Sequence, residues 1–301
     1  MYKNLVLCSG DLKGFIILGY LKTIENDIKN IKEYIGCSVG TIINFFLLIN
    51  YSIDEIYKIF KDEFNEFLNL IQNEYDILNN IDEYLIKLYF NNGLLDMNIL
   101  FKILTKHLKI KLNKDKLTFI ECAKLYGKNF ITTVSNITKH KLEYCDINNT
   151  PELNIIDAVC MSCAIPIIAK PIKYNDCLYV DGALYYEFPL NYFKNNYLDT
   201  IGVYIDYNIE KNKYDNIFEY IYYIICGLIK NNSKLLNNLE NKEFNKFKIY
   251  KIDLNKIIKT ENKILNEIIK NNHNNYILND DIIKYYYNYA KNNNFITPLN
   301  I

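Results

Sequence analysis

Residues Gly36-Cys37-Ser38-Val39-Gly40 have the form G-x-S-x-G. The apolar approach Tyr34-Ile35 leads into them and the apolar run 41–49 leads away. Strand, tight turn and helix is the setting of a nucleophile elbow. The two glycines spare the turn a Cβ clash, and the serine hydroxyl stands at the end of a sheet. The helix behind directs N–H groups and the positive end of its dipole toward that hydroxyl. A serine so placed can attack an acyl carbonyl once a base takes its proton. The motif also occurs by chance, so the rest of the chain must supply a base and donors for an oxyanion.

The chain has three histidines, His107, His140 and His273. Lysines flank the first two and asparagines the third, so each reads as a solvated surface residue. Only His273 fits the order of an α/β-hydrolase triad, in which the histidine comes last. Its asparagine-rich segment is a poor platform for a rigid site. Asp181 is the better base, because it ends the apolar strand Cys177-Leu178-Tyr179-Val180 and precedes Gly182-Ala183. A carboxylate held at a strand end can accept the Ser38 proton directly, giving a Ser-Asp site. The bland alternative is an Asp-Gly turn, and the dipeptide alone does not choose between them.

The loop Ser9-Gly10-Asp11-Leu12-Lys13-Gly14 joins a strand to a helix N-terminus. Its backbone N–H groups form a natural nest for a developing oxyanion. A phosphate loop is a weaker reading, since the spacing G-x-x-x-x-G-K-[ST] is missing. Cys160-x-x-Cys163 with Cys145 or Cys177 could ligate a metal, but a single C-x-x-C in an apolar helix reads as core cysteines.

These residues need a frame. Residues 4–9 read as a buried strand and 13–26 as a helix with Phe15, Leu18, Leu21 and Ile24 on one face. With the strand before the elbow and the helix after it, the opening is an α/β pattern with parallel strands. Residues 52–127 read as a helical insertion, with Ser52 as an N-cap and helices near 56–67, 81–90, 97–108 and 117–126. From 129 the period becomes strand-like: a hairpin over 130–144, a helix from 154, short strands at 172–174 and 177–180, and a buried strand over 200–205. Residues 247–254 suggest a further strand. The run 220–229 is apolar all round and reads as a buried helix rather than a membrane-contacting one.

Lys+Arg and Asp+Glu both number 35, so the formal net charge is zero, and there is no arginine. A nucleic-acid partner would call for a basic excess, and carboxylate or phosphate recognition here has no guanidinium fork. The eight cysteines are scattered in apolar surroundings, which fits reduced thiols rather than a disulfide framework. No signal peptide is evident, and no apolar run reaches the ~18–20 residues of a membrane span. An intracellular protein, cytoplasmic or peripheral to a membrane, is expected.

Taken in order, Ser9-Gly10-Asp11-Leu12-Lys13-Gly14, Gly19-Tyr20-Leu21, Gly36-Cys37-Ser38-Val39-Gly40, Ala164-Ile165-Pro166 and Val180-Asp181-Gly182-Ala183 resemble the patatin-like phospholipases. The resemblance covers roughly residues 4–205 and implies a three-layer α/β/α fold with a mostly parallel sheet. It implies a catalytic domain over 4–205 and leaves 206–301 as a mostly helical extension on the same core. It implies Ser38 as nucleophile, Asp181 as proton acceptor, and the backbone of Ser9, Gly10, Asp11, Lys13 and Gly14 around the oxyanion. The substrates implied are fatty acyl esters of phospholipids or other lipids at a membrane or micelle surface, with no metal or cofactor. One departure stands out: where the family loop is typically G-G-G-x-[RK]-G, this chain has Ser9 and Asp11 in place of glycines. A carboxylate beside a developing oxyanion opposes catalysis unless it points away. That departure motivates the alternative of a non-enzymatic lipid-binding or scaffold protein.

Overall fold

The computed structural model describes residues 2–10, 14–64, 88–206, 217–239, 248–253, 287–288 and 297–298. Asp11, Leu12, Lys13, His273 and most of the helix expected over 81–90 lie outside the described residues.

The central strands are β1 (Asn4–Leu7), β2 (Glu33–Gly36), β4 (Asn129–Asn136) and β9 (Thr200–Asp206). β1 pairs in parallel with β2 and with β9, and β2 in parallel with β4. Leu5, Val6 and Leu7 are all fully buried. That is why β1 reads as an unbroken apolar run: a central parallel strand is covered on both faces. β10 (Lys248–Asp253) continues the sheet parallel to β9, and β11 (Thr297–Pro298) closes that edge antiparallel to β10. β5 (Lys141–Cys145) and β8 (Cys177–Asp181) run antiparallel to β4, and β7 (Ile172–Tyr174) antiparallel to β8.

Helices complete a three-layer α/β/α arrangement. α1 (Gly14–Thr23) returns the chain from β1, and α2 (Val39–Leu48) leaves the elbow and packs on β1, β2 and β4. The insertion holds α3 (Ile53–Ile59) with a π-helical turn at Phe60–Phe64, then α4 (Asn98–Leu112) and α5 (Phe119–Tyr126). Capping boxes Ser52/Glu55 and Thr118/Glu121 start α3 and α5. The insertion also carries a strand absent from the sequence reading: β3 (Gly93–Leu95) pairs in parallel with β6 (Ile167–Ala169). Each is only three residues long, too short to show a period.

α6 (Ile155–Ser162) lies over β4 and β8, and the short α7 (Ala183–Tyr186) follows β8 directly. The helix around 220–229, α8 (Ile217–Leu239), packs on α7, and its Asn232 amide donates to the Leu184 carbonyl at 2.9 Å. Contrary to the expectation of burial all round, Tyr220, Ile224 and Leu228 are exposed while Ile225 is buried. Spacing of four residues puts the exposed three on one stripe. Apolar residues on every face cannot reveal which face finds a partner. Among the described residues no helix is long and apolar enough to cross a membrane.

Candidate active site

The register of β4 explains how two distant stretches of chain come together. Thr132 pairs with both Gly36 of β2 and Cys145 of β5, and Val134 pairs with both Glu143 of β5 and Asp181 of β8. A strand residue has one neighbour on each edge, so β5 takes one edge of β4, and β2 and β8 share the other. β2 ends at Thr132; β8 runs the opposite way and ends at Val134. Their C-terminal ends therefore face each other across Thr133. The Thr133 hydroxyl donates to the Gly36 carbonyl at 3.0 Å, and Gly182 lies against the Thr133 carbonyl.

The elbow occupies this gap. Ser38 has φ 51° and ψ −124° and is the N-cap of α2. That is a sparsely populated region for a residue with a Cβ, of the kind that costs about 1–3 kcal/mol and persists only where the surroundings over-determine it. Gly36 and Gly40 do not themselves take positive φ; their role is close approach. A Cβ on Gly36 would sit 2.6 Å from the Thr41 nitrogen, and one on Gly40 2.5 Å from the Cys8 carbonyl oxygen. The Cys37 N–H donates to the Leu7 carbonyl at 3.2 Å. The Ser38 N–H donates to Ser162 Oγ at 3.0 Å, and Ser162 Oγ is 3.4 Å from Thr41 Oγ1. Ser38 is buried, as a residue wedged between a strand end and a helix start must be.

Asp181 is also buried. Its N–H donates to the Ala164 carbonyl at 2.8 Å, and its Oδ1 accepts from the Ala183 N–H at 2.8 Å. The Cys37 thiol reaches the same Oδ1 at 3.8 Å. The carboxylate thus closes the Asp-Gly turn and also lies against the residue preceding Ser38. The Asp-Gly turn is present, and the same carboxylate oxygen that closes it faces the elbow. Burial, reinforced by the Asp181 charge, pushes the Cys37 thiol well above its usual range.

At the end of β1, the Ser9 N–H donates to the Glu187 carbonyl at 2.9 Å, and its hydroxyl donates to Glu187 Oε2 at 3.5 Å. Ser9 is therefore an anchor of the loop, and its N–H is not open to an oxyanion. Gly10 beyond it is buried. At the far end of the loop, a Cβ on Gly14 would lie 2.6 Å from Val39 Cγ2, so loop and elbow are in contact.

Residues 5–194 match the family model of the patatin-like phospholipases. The chain belongs to the patatin-like phospholipase family. A probable lipid hydrolase of Invertebrate iridescent virus 6 is 33% identical over 217 residues, which is 70% of this chain and 66% of that protein. An uncharacterized protein of Acanthamoeba polyphaga mimivirus is 29% identical over 263 residues, 83% of each chain. Among solved structures, VipD from Legionella pneumophila overlaps with a TM-score of 0.46 at 19% identity, over 74% of this chain and 52% of that one.

In this member of the family the elbow, Asp181, Gly182 and Ala183 lie near one another, with Gly10 and Gly14 bounding the adjoining loop. Of the two histidines among the described residues, neither joins them. His140 is exposed in the β4–β5 turn. His107 corrects the expectation of a solvated residue: it is buried, with Nδ1 2.8 Å from the Tyr51 hydroxyl and Nε2 2.9 Å from Glu63 Oε1. Leu100, Leu104, His107 and Leu108 are the buried residues of α4, and that helical spacing shows the inward face. The adjacent lysines drew attention to the wrong side of the helix. Cys160 is buried in α6, and among the described residues no three of His, Cys, Asp or Glu gather as metal ligands.

Two residues at the site escaped the sequence reading. Ser162 lies inside the Cys160-x-x-Cys163 stretch that reads as an apolar helix, and a small polar residue just before Ala164-Ile165-Pro166 is the signal that marks it. Glu187 is buried, and besides Ser9 it accepts from the Tyr204 hydroxyl at 3.1 Å. A single carboxylate within the apolar run 183–190 could have been noticed as a buried charge in need of partners.

Proposed function

We propose that this protein is a lipid acyl hydrolase that cleaves fatty acyl esters of phospholipids or related lipids through Ser38 and Asp181. One observation carries the reading: β2 and β8 meet end to end on β4, with the strained Ser38 in the gap and Asp181 against the neighbouring Cys37. Family membership supports a lipid substrate. Asp181 takes the hydroxyl proton as Ser38 Oγ bonds to the ester carbonyl carbon, and the carbonyl oxygen becomes an oxyanion facing backbone N–H groups of the loop from Gly10 onward. Collapse breaks the bond to the alcohol, which leaves with the proton from Asp181, and an acyl-enzyme remains. Water then loses a proton to Asp181 as it attacks. The fatty acid departs and Ser38 regains its proton. The substrate is met at a membrane or micelle surface, to which the protein binds peripherally.

The test is fatty-acid release from mixed phospholipid vesicles by the wild type, Ser38→Ala and Asp181→Asn. Turnover by the wild type alone, with all three folded, is expected. Comparable release by either variant would sink the dyad. Asp11 favours a second reading, a lipid-binding protein that kept the fold. Silence of the wild type toward both vesicles and a serine-directed fluorophosphonate would favour that reading.

A further inference from the structure

The backbone N–H groups of Ser38 and Asp181 go to one short stretch of chain. Ser38 donates to Ser162 Oγ at 3.0 Å and Asp181 to the Ala164 carbonyl at 2.8 Å. Ser162 is the last residue of α6, and both it and Ala164 are fully buried. The end of α6 is itself pinned, since the Cys163 N–H donates to the Val159 carbonyl and the Ile165 N–H to the Cys163 carbonyl. Ser38 needs such an external hold. Its φ of 51° and ψ of −124° are not a conformation that a serine adopts unaided. If the backbone relaxed, the N–H would turn away from Ser162 and the hydroxyl would swing with it. The Ser162 Oγ is the side-chain acceptor that rewards the strained state.

We propose that Ser162 is a positioning residue for the reaction: its hydroxyl selects the elbow conformation of Ser38, and through the two-residue step to Ala164 it fixes that elbow relative to Asp181. Ser162 touches no reacting atom. This role rests on the acyl-hydrolase reading above. It predicts that loss of the hydroxyl affects the chemical step rather than substrate binding, because an elbow that samples relaxed backbone states is competent for only part of the time.

The experiment compares the wild type with Ser162→Ala, Ser162→Thr and Asn154→Ala. Asn154 caps the opposite end of α6, its Oδ1 accepting from the Ile156 N–H at 3.4 Å, so its loss weakens the same helix without touching the elbow. Three readouts are taken: fluorophosphonate labelling of Ser38, ester turnover, and amide exchange of the peptide containing Ser38. In Ser162→Ala, labelling and kcat should fall by about tenfold or more with KM within about twofold, and the Ser38 amide should exchange faster. Ser162→Thr, which keeps the hydroxyl, should recover most of the rate. Asn154→Ala should lose stability yet label at the wild-type rate. Equal labelling of the wild type and Ser162→Ala would overturn this role and leave the dyad standing. Equal slowing by Asn154→Ala would reduce Ser162 to a structural part of the helix. A wild type that is never labelled would remove the dyad and this role with it.

Discussion

Asp181 stands two register positions beyond Gly36 along the same edge of β4, and Cys37 bridges the step with its thiol 3.8 Å from Asp181 Oδ1. Two positions on a strand span about 7 Å. Within that distance the chain reverses from β2 into α2 and leaves Ser38 at the turn. The acid and the elbow share one edge of β4 because an antiparallel strand is docked head-on against a parallel one.

The first consequence concerns Cys37. Its thiol is fully buried, and burial together with the Asp181 charge keeps it protonated. Thiolate is the reactive form. In the folded protein a maleimide should modify the half-buried Cys163 and Cys226 while sparing Cys37. Peptide mapping by mass spectrometry checks this, and early modification of Cys37 would contradict the geometry.

Two glycines should respond with opposite sign. In Gly40→Ala the new methyl would meet the Cys8 and Leu7 carbonyl oxygens at 2.5 and 2.7 Å. Backbone atoms cannot step aside as side chains can. A loss of about 3 kcal/mol is expected, seen as a fall in Tm of roughly 5 °C or more. In Gly227→Ala, on α8, the methyl meets nothing within 4 Å. The gain in helix propensity is about 1 kcal/mol and should raise Tm by roughly 1–2 °C. Thermal unfolding of the two variants decides.

His107 should make stability depend on pH. Burial holds its pKa below the ordinary 6.5, outweighing the hydrogen bond and charge of Glu63, while Lys106 and Lys111 also disfavour a second positive charge. The unfolded chain then binds a proton more readily than the folded one, so stability rises with pH. The contribution is fully present above about pH 6.5 and is lost as the pH falls toward the depressed folded value. His107→Gln should be less stable at pH 7 and show a flatter dependence between pH 7 and 5. Urea midpoints across that range test it, and an unchanged slope would exclude His107 as the source.

Every proton and charge in the proposed reaction is handled by Ser38, Asp181 and backbone donors. Fatty-acid release should therefore persist in excess EDTA. Activity lost to the chelator and regained with zinc or calcium would require a different mechanism.

Much of this was legible in the chain itself. The G-x-S-x-G motif between a strand and a helix, the Asp-Gly-Ala at the end of an apolar strand, and the glycine loop after β1 are local patterns, and steric rules tie such patterns to local geometry. The strands β1, β4, β8 and β9 announced themselves by composition for the same reason. What the sequence alone did not determine is non-local. That Ser9 spends its N–H on Glu187, that Ser162 holds the Ser38 backbone, and that His107 faces Tyr51 and Glu63 are relations between residues 44 to 178 positions apart. β3 and β6 are too short to signal a period, and α8 is apolar on the stripe it exposes as well as the face it buries. Hydropathy records how much a residue gains by leaving water; only the tertiary packing decides which neighbour lets it do so.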